Sequence, residues 1–99
     1  MEPVKLSPQT TRRLELLFPT EAQEQARQLL ICECGSNLPF LEGSNPTSLE
    51  RVRFAALKVS EGRLDKLEAA VELAKVDWRD LLVHAGFAHD PKAHESWLI

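Results

Sequence analysis

Apolar residues recur at three- and four-residue spacing in short successive runs along this chain, and nowhere do they alternate with polar residues as in a half-buried strand. The runs are separated by helix-start chemistry. Ser7-Pro8, Pro19-Thr20-Glu21-Ala22-Gln23 and Asn45-Pro46-Thr47-Ser48-Leu49-Glu50 each set a hydroxyl or amide beside a proline at the mouth of a run. Such a side chain can accept from the orphan amides of a first turn, and proline lacks a donor that the helix would not use there. Leu14, Leu17 and Phe18 then predict a first helix of about three turns, opened by Ser7 and ended by Pro19, with Leu6 packing as a hydrophobic staple.

Thr20 and Gln23 have the spacing of a capping box, so a second helix is expected through Ala26, Leu29, Leu30 and Ile31 to a left-handed stop at Gly35. Its apolar face of Ala22, Ala26, Leu29 and Leu30 leaves Gln25, Arg27 and Gln28 toward water. From Gly35 to Asn45 the chain is rich in turn formers yet carries Leu38, Phe40 and Leu41. Leaving such side chains in water forfeits roughly 1.5–3 kcal/mol each, which predicts a loop folded back over one end of the core.

Asn45 or Thr47 is expected to cap a third helix with Leu49, Val52, Ala56 and Val59 as its inner stripe. Glu61-Gly62-Arg63 leaves room for a tight turn, so the next helix runs back antiparallel with Leu64, Leu67, Ala70, Val71 and Ala74 inward. Near Asp77 the stripe changes phase and continues as Trp78, Leu81, Leu82 and Ala85 until Gly86. Asp77 can cap a fresh turn, with Asp80 favourably placed in it, so a kink or separate short helix is favoured over one continuous helix from Arg63 to Ala85. The expected fold is all-α: one domain over residues 1–99, a compact bundle of four to five short helices with a central antiparallel helical hairpin. Residues 88–99, which include Trp97, form a candidate mobile tail.

Composition narrows the function classes more than it names one. A chain of 99 residues, 43% hydrophobic and 27% charged, is too short for two domains and can build one core without metal or disulfide. Its net charge of −3, from 12 basic and 15 acidic residues spread along the chain, offers no general attraction for nucleic acid or anionic lipid. No apolar run has membrane-spanning length, and Met1-Glu2-Pro3-Val4-Lys5 lacks a signal-peptide pattern, so a cytoplasmic protein is expected. Cys32 and Cys34 fit a reducing compartment, because cysteines one residue apart are too close for an ordinary structural bridge.

Candidate chemistry is sparse. Cys32-Glu33-Cys34 with His84, His89 and His94 suggests zinc, but residues i and i+2 on a helix point about 160° apart, against the converging spacing of structural sites. A Cys34–His84 nucleophilic pair fails on electrostatics, since Cys34 falls at a helix C-terminus, where the dipole disfavours a thiolate. Asp77 and Asp80 read as a cap and an acidic first turn rather than an acid–base pair. No metal, cofactor or catalytic residue is therefore assigned, and the chain is not expected to be an enzyme.

Interaction residues remain. Arg51, Arg53 and Lys58 form the local basic grouping of the third helix, but Arg53 turns away from the face that Arg51 and Lys58 share with Phe54 and Glu61. Phe54 lies opposite the inner stripe, where an aromatic ring needs cover: either the N-terminal segment or the tail around Trp97 supplies it, or a partner does. The expected function is a non-catalytic protein-interaction module, binding a protein partner or forming a homodimer, with Arg51, Phe54, Lys58, Phe40 and Trp97 as candidate contacts. The alternative is a nucleic-acid-binding or regulatory domain of helix-turn-helix type, built on the helices that meet at Gly62.

Overall fold

The computed structural model describes residues 6–34, 46–89 and 97, with the backbone alone over 46–49. Helices α1 (Pro8–Leu17), α2 (Thr20–Gln28), α3 (Pro46–Ser60) and α4 (Leu64–Ala85) follow in order, and a π-helical turn, Leu29–Glu33, continues α2. No strand occurs among the described residues. The Gly35 stop, the loop residues Leu38, Phe40 and Leu41, the caps at Asn45 and Thr47, and the Leu49 side chain lie outside what is described.

Helix α1 begins as its sequence dictates. Ser7 is the N-cap, its Oγ accepting from the Thr10 amide at 3.1 Å, and Pro8 takes the first helical position. The same hydroxyl donates to the Glu50 carboxylate, which ties the start of α1 to α3. Leu14 and Phe18 are buried, with Leu6 and Leu17 half-buried against the core.

Helix α2 starts differently from the expected capping box. Pro19, in an extended conformation, is the N-cap and no side chain caps the helix. Its carbonyl accepts from the amides of Ala22 and Gln23, and the Gln23 side chain turns back to donate to the carbonyls of Phe18 and Glu15 at 3.1 and 3.3 Å. Gln23 thus satisfies the open carbonyls of α1 instead of closing a box on Thr20. At its other end α2 widens into the π turn, whose Leu30 is buried and whose C-cap, Cys34, enters the core.

Helices α3 and α4 form the antiparallel hairpin and share the most extensive contact in the fold. The tip needs glycine. Glu61 and Gly62 both have positive φ, 53° and 79°, and a Cβ on Gly62 would lie 2.5 Å from the Leu17 carbonyl oxygen. Ser60, fully buried, donates to the Leu57 carbonyl at 2.6 Å and accepts from the Gly62 amide at 3.2 Å. Hairpin tip and α1 terminus are therefore locked by backbone contact.

The inner stripe of α3 is wider than the expected one. Val52 and Ala56 are buried and Val59 half-buried, but Arg53, Phe54, Ala55, Leu57 and Ser60 are buried as well. Cover arrives from α1, from α4, from the π turn and from Trp97, so the middle of α3 has no solvated face. Helix α4 follows its pattern closely, with Leu67, Ala70, Val71 and Ala74 buried. Asp77 breaks it at φ −155°, ψ 89°, and its Oδ1 accepts from the amides of Arg79 and Asp80, both at 3.2 Å. This is an N-cap set within the helix. Leu81, Leu82 and Ala85 resume the buried face, and Gly86 ends it with φ 80°.

Candidate functional site

Four of the five candidate contacts, Arg51, Phe54, Lys58 and Trp97, come together, but around the chain's own aromatic residues; the fifth, Phe40, lies outside the described residues. Of the covers expected for Phe54, the structure shows the two within the monomer, the N-terminal segment and Trp97. The ring is 2% accessible, packed edge-on to Trp97 at 6.0 Å between centroids and roofed by the Arg13 guanidinium at 4.3 Å. Arg13 in turn donates through Nε and Nη2 to the Trp97 carbonyl at 3.0 and 2.9 Å. Burial pulls its pKa down, and the Glu50 carboxylate opposes that shift.

Arg51 and Lys58 serve the same cluster from the other side. Arg51 donates to the Phe87 carbonyl, and the Lys58 ammonium lies 4.9 Å from the Phe87 ring centre. Phe87 itself packs on Trp97 at 6.2 Å. Within the monomer these residues clasp Phe87 and Trp97 to α3.

Arg53 is the larger departure from expectation. Placed by sequence only in the basic grouping of the third helix, it is 2% accessible, donating through Nε to the Cys34 carbonyl at 2.9 Å and through Nη2 to the Leu30 carbonyl at 3.3 Å. A helix widened to i+5 bonding ends in carbonyls that its own next turn does not satisfy, and this guanidinium reaches across from α3 to meet two of them. Burial lowers its pKa. The Cys34 thiol beside it is pushed up to about 12, chiefly by burial, so it stays protonated and unreactive at neutral pH.

The two cysteines occupy different surroundings. Cys34 is in the core, whereas Cys32 is exposed, with its thiol 3.4 Å from Gln28 Oε1. Among the described residues no group of three or more His, Cys, Asp and Glu side chains could hold a metal ion. His84 is exposed, with Nε2 3.5 Å from the Asp80 carboxylate.

A concave surface among the described residues lies elsewhere. Between the α2–π segment and the first turns of α4 runs an open groove of about 510 Å³, with a mainly apolar wall. Half-buried Leu29 and Leu64 contribute aliphatic surface, while Glu24, Glu33 and Glu68 bring carboxylates and Gln25 and Gln28 amides. Exposed Cys32 also lines it. The π turn supplies Leu29, Cys32 and Glu33 to this wall. Lys75 of α4 holds Glu33 at 2.9 Å and Glu72 at 3.1 Å, which pins the π turn to α4. These two carboxylates raise the Lys75 pKa.

Sequence reasoning missed this groove because its walls come from segments 35 residues apart, Leu29 and Leu64, each reading as a core position. No family model matches the chain, and neither curated proteins nor solved structures give a match. Among the described residues no helix is long and apolar enough to cross a membrane.

Proposed function

We propose that the protein is a non-catalytic protein-interaction module whose binding face is the groove between the α2–π segment and α4. One observation carries the reading: a groove of about 510 Å³ with an apolar wall and polar margins. That size falls within the roughly 300–1,000 Å³ of clefts that take up small largely apolar ligands, and anchor side chains of a partner fill such pockets at interfaces. Its π-helical wall adds weight, since such turns are frequent at functional sites. The nucleic-acid alternative draws less support. Arg53 is buried, Arg51 and Lys58 engage Phe87, and the groove's carboxylates repel phosphate.

Selection of a random peptide library against the intact protein tests the reading. Binders are expected that lose affinity at least about tenfold for Leu64→Glu, a half-buried lining position, while still binding Lys58→Glu. Circular dichroism must show both variants folded, and Leu64→Gln serves if the glutamate variant is not. A selection that returns no groove-dependent binder overturns the proposal.

A further inference from the structure

We infer that the occupant of the groove is a basic amphipathic helical segment of a protein partner; this rests on the groove being the binding face. Charge complementarity on an apolar wall supports this occupant. Near the groove Glu24, Glu33, Glu68 and Glu72 are accompanied by Arg27 and Lys75, which pair with Glu24 and with Glu33 and Glu72. Glu68 has no cation within ion-pair distance among the described residues, and the excess charge is negative. Low-dielectric walls focus that field into the groove, where it attracts cations and repels phosphates or a carboxylate-rich segment.

Leu29 and Leu64 determine the rest of the ligand's chemistry. They call for bulky apolar anchors, and a helix places such anchors at i, i+3, i+4 and i+7 on one face with lysine or arginine flanking them. A second copy of the chain fits less well, because its net charge of −3 opposes self-association at an acidic surface.

Three synthetic helical peptides of about 18 residues, with the same leucine stripe and Lys, Gln or Glu on the polar positions, distinguish the outcomes. Each is titrated into 15N-labelled full-length protein while backbone amide shifts are followed. The Lys peptide is expected to move the amides of Leu29–Glu33 and Leu64–Glu68 saturably, to bind at least about tenfold tighter than the Glu peptide, and to weaken as salt rises. Glu68→Lys, at an exposed position, is expected to weaken the Lys peptide about three- to tenfold and to favour the Glu peptide.

Equal binding of all three peptides in the groove overturns the basic partner and leaves the groove reading intact. Binding of the Lys peptide that shifts other amides, or that ignores Glu68→Lys, overturns the inference. Concentration-dependent shifts of the groove amides without peptide assign the site to a second copy and also overturn it. Absence of binding by all three peptides, beside a library selection that succeeds, defeats the inference alone; failure of both defeats the groove reading as well.

Discussion

Replacing Arg53 should loosen the junction between α3 and the π turn more than a charge on a nominally polar helix position would suggest. In the folded protein its guanidinium donates to the Cys34 carbonyl at 2.9 Å and the Leu30 carbonyl at 3.3 Å from a site 2% accessible to water. Hydrogen bonds from a charged donor contribute about 1.5–3 kcal/mol each, with the longer one at the lower end. Arg53→Ala removes both and leaves a void where the stem packed. Against this stands relief of the desolvated charge, whose cost is visible in the lowered pKa of Arg53. The net expectation is a loss of about 3 kcal/mol, or roughly 12–24 °C in Tm for a domain of this size. Arg53→Met keeps most of the stem volume and should lose about half as much. Urea denaturation monitored by circular dichroism gives both values. Equal losses for Ala and Met would mean that the stem contributes nothing by packing and the hydrogen bonds alone hold the residue; a Met variant more stable than wild type would refute the claim that these hydrogen bonds outweigh the buried charge.

Other substitutions probe separate joints. Gly62→Ala combines a left-handed conformation with a Cβ 2.5 Å from the Leu17 carbonyl oxygen, so it should cost about 2–4 kcal/mol in the same assay; a loss below about 1 kcal/mol would contradict that contact. Asp77→Ala removes the acceptor for the Arg79 and Asp80 amides and should cost about 1 kcal/mol, whereas Asp77→Asn, which still caps, should lose much less. The Cys34 thiol, raised to about 12 from 9.0, stays protonated in the folded chain while the unfolded chain gives up its proton. Stability from this group is therefore full below about pH 9 and declines toward pH 12, by up to about 1.4 kcal/mol per pH unit. Denaturation of wild type and Cys34→Ala at about pH 8 and pH 10.5 should show the steeper decline in wild type; parallel declines would remove the thiol as the cause.

Local chemistry was legible wherever one residue type decides one backbone event. Ser7 before Pro8, Asp77 at the phase change, Gly62 in a tight turn and Gly86 after Ala85 each act on groups within a few residues, and all four appear where the pattern placed them. Gln23 shows where such reasoning fails. Its spacing from Thr20 suits a capping box, but carbonyls at the end of α1 compete for it, and that competition exists only after the helices meet.

Arg53 and the π turn were invisible for a related reason. A one-residue widening of a helix has no compositional mark, so neither the turn nor the arginine drawn inward to the Leu30 and Cys34 carbonyls at its end was foreseen. Phe54 was legible as an anomaly, and its cover by Arg13 and Trp97 depends on contacts 41 and 43 residues away along the chain. The groove needed the fold itself. Its defining carboxylate, Glu68, is an ordinary exposed helix residue until Leu29 and Glu33 arrive beside it.

The most direct test of the account sets the two surfaces against each other in one binding measurement. Isothermal titration of a library-selected peptide into Leu64→Glu and Lys58→Glu, each checked for folding, compares the groove with the cluster around Phe87 and Trp97. Binding to the Leu64 variant is expected to be at least about tenfold weaker, and binding to the Lys58 variant near that of wild type. Loss with Lys58→Glu and retention with Leu64→Glu would contradict the groove reading.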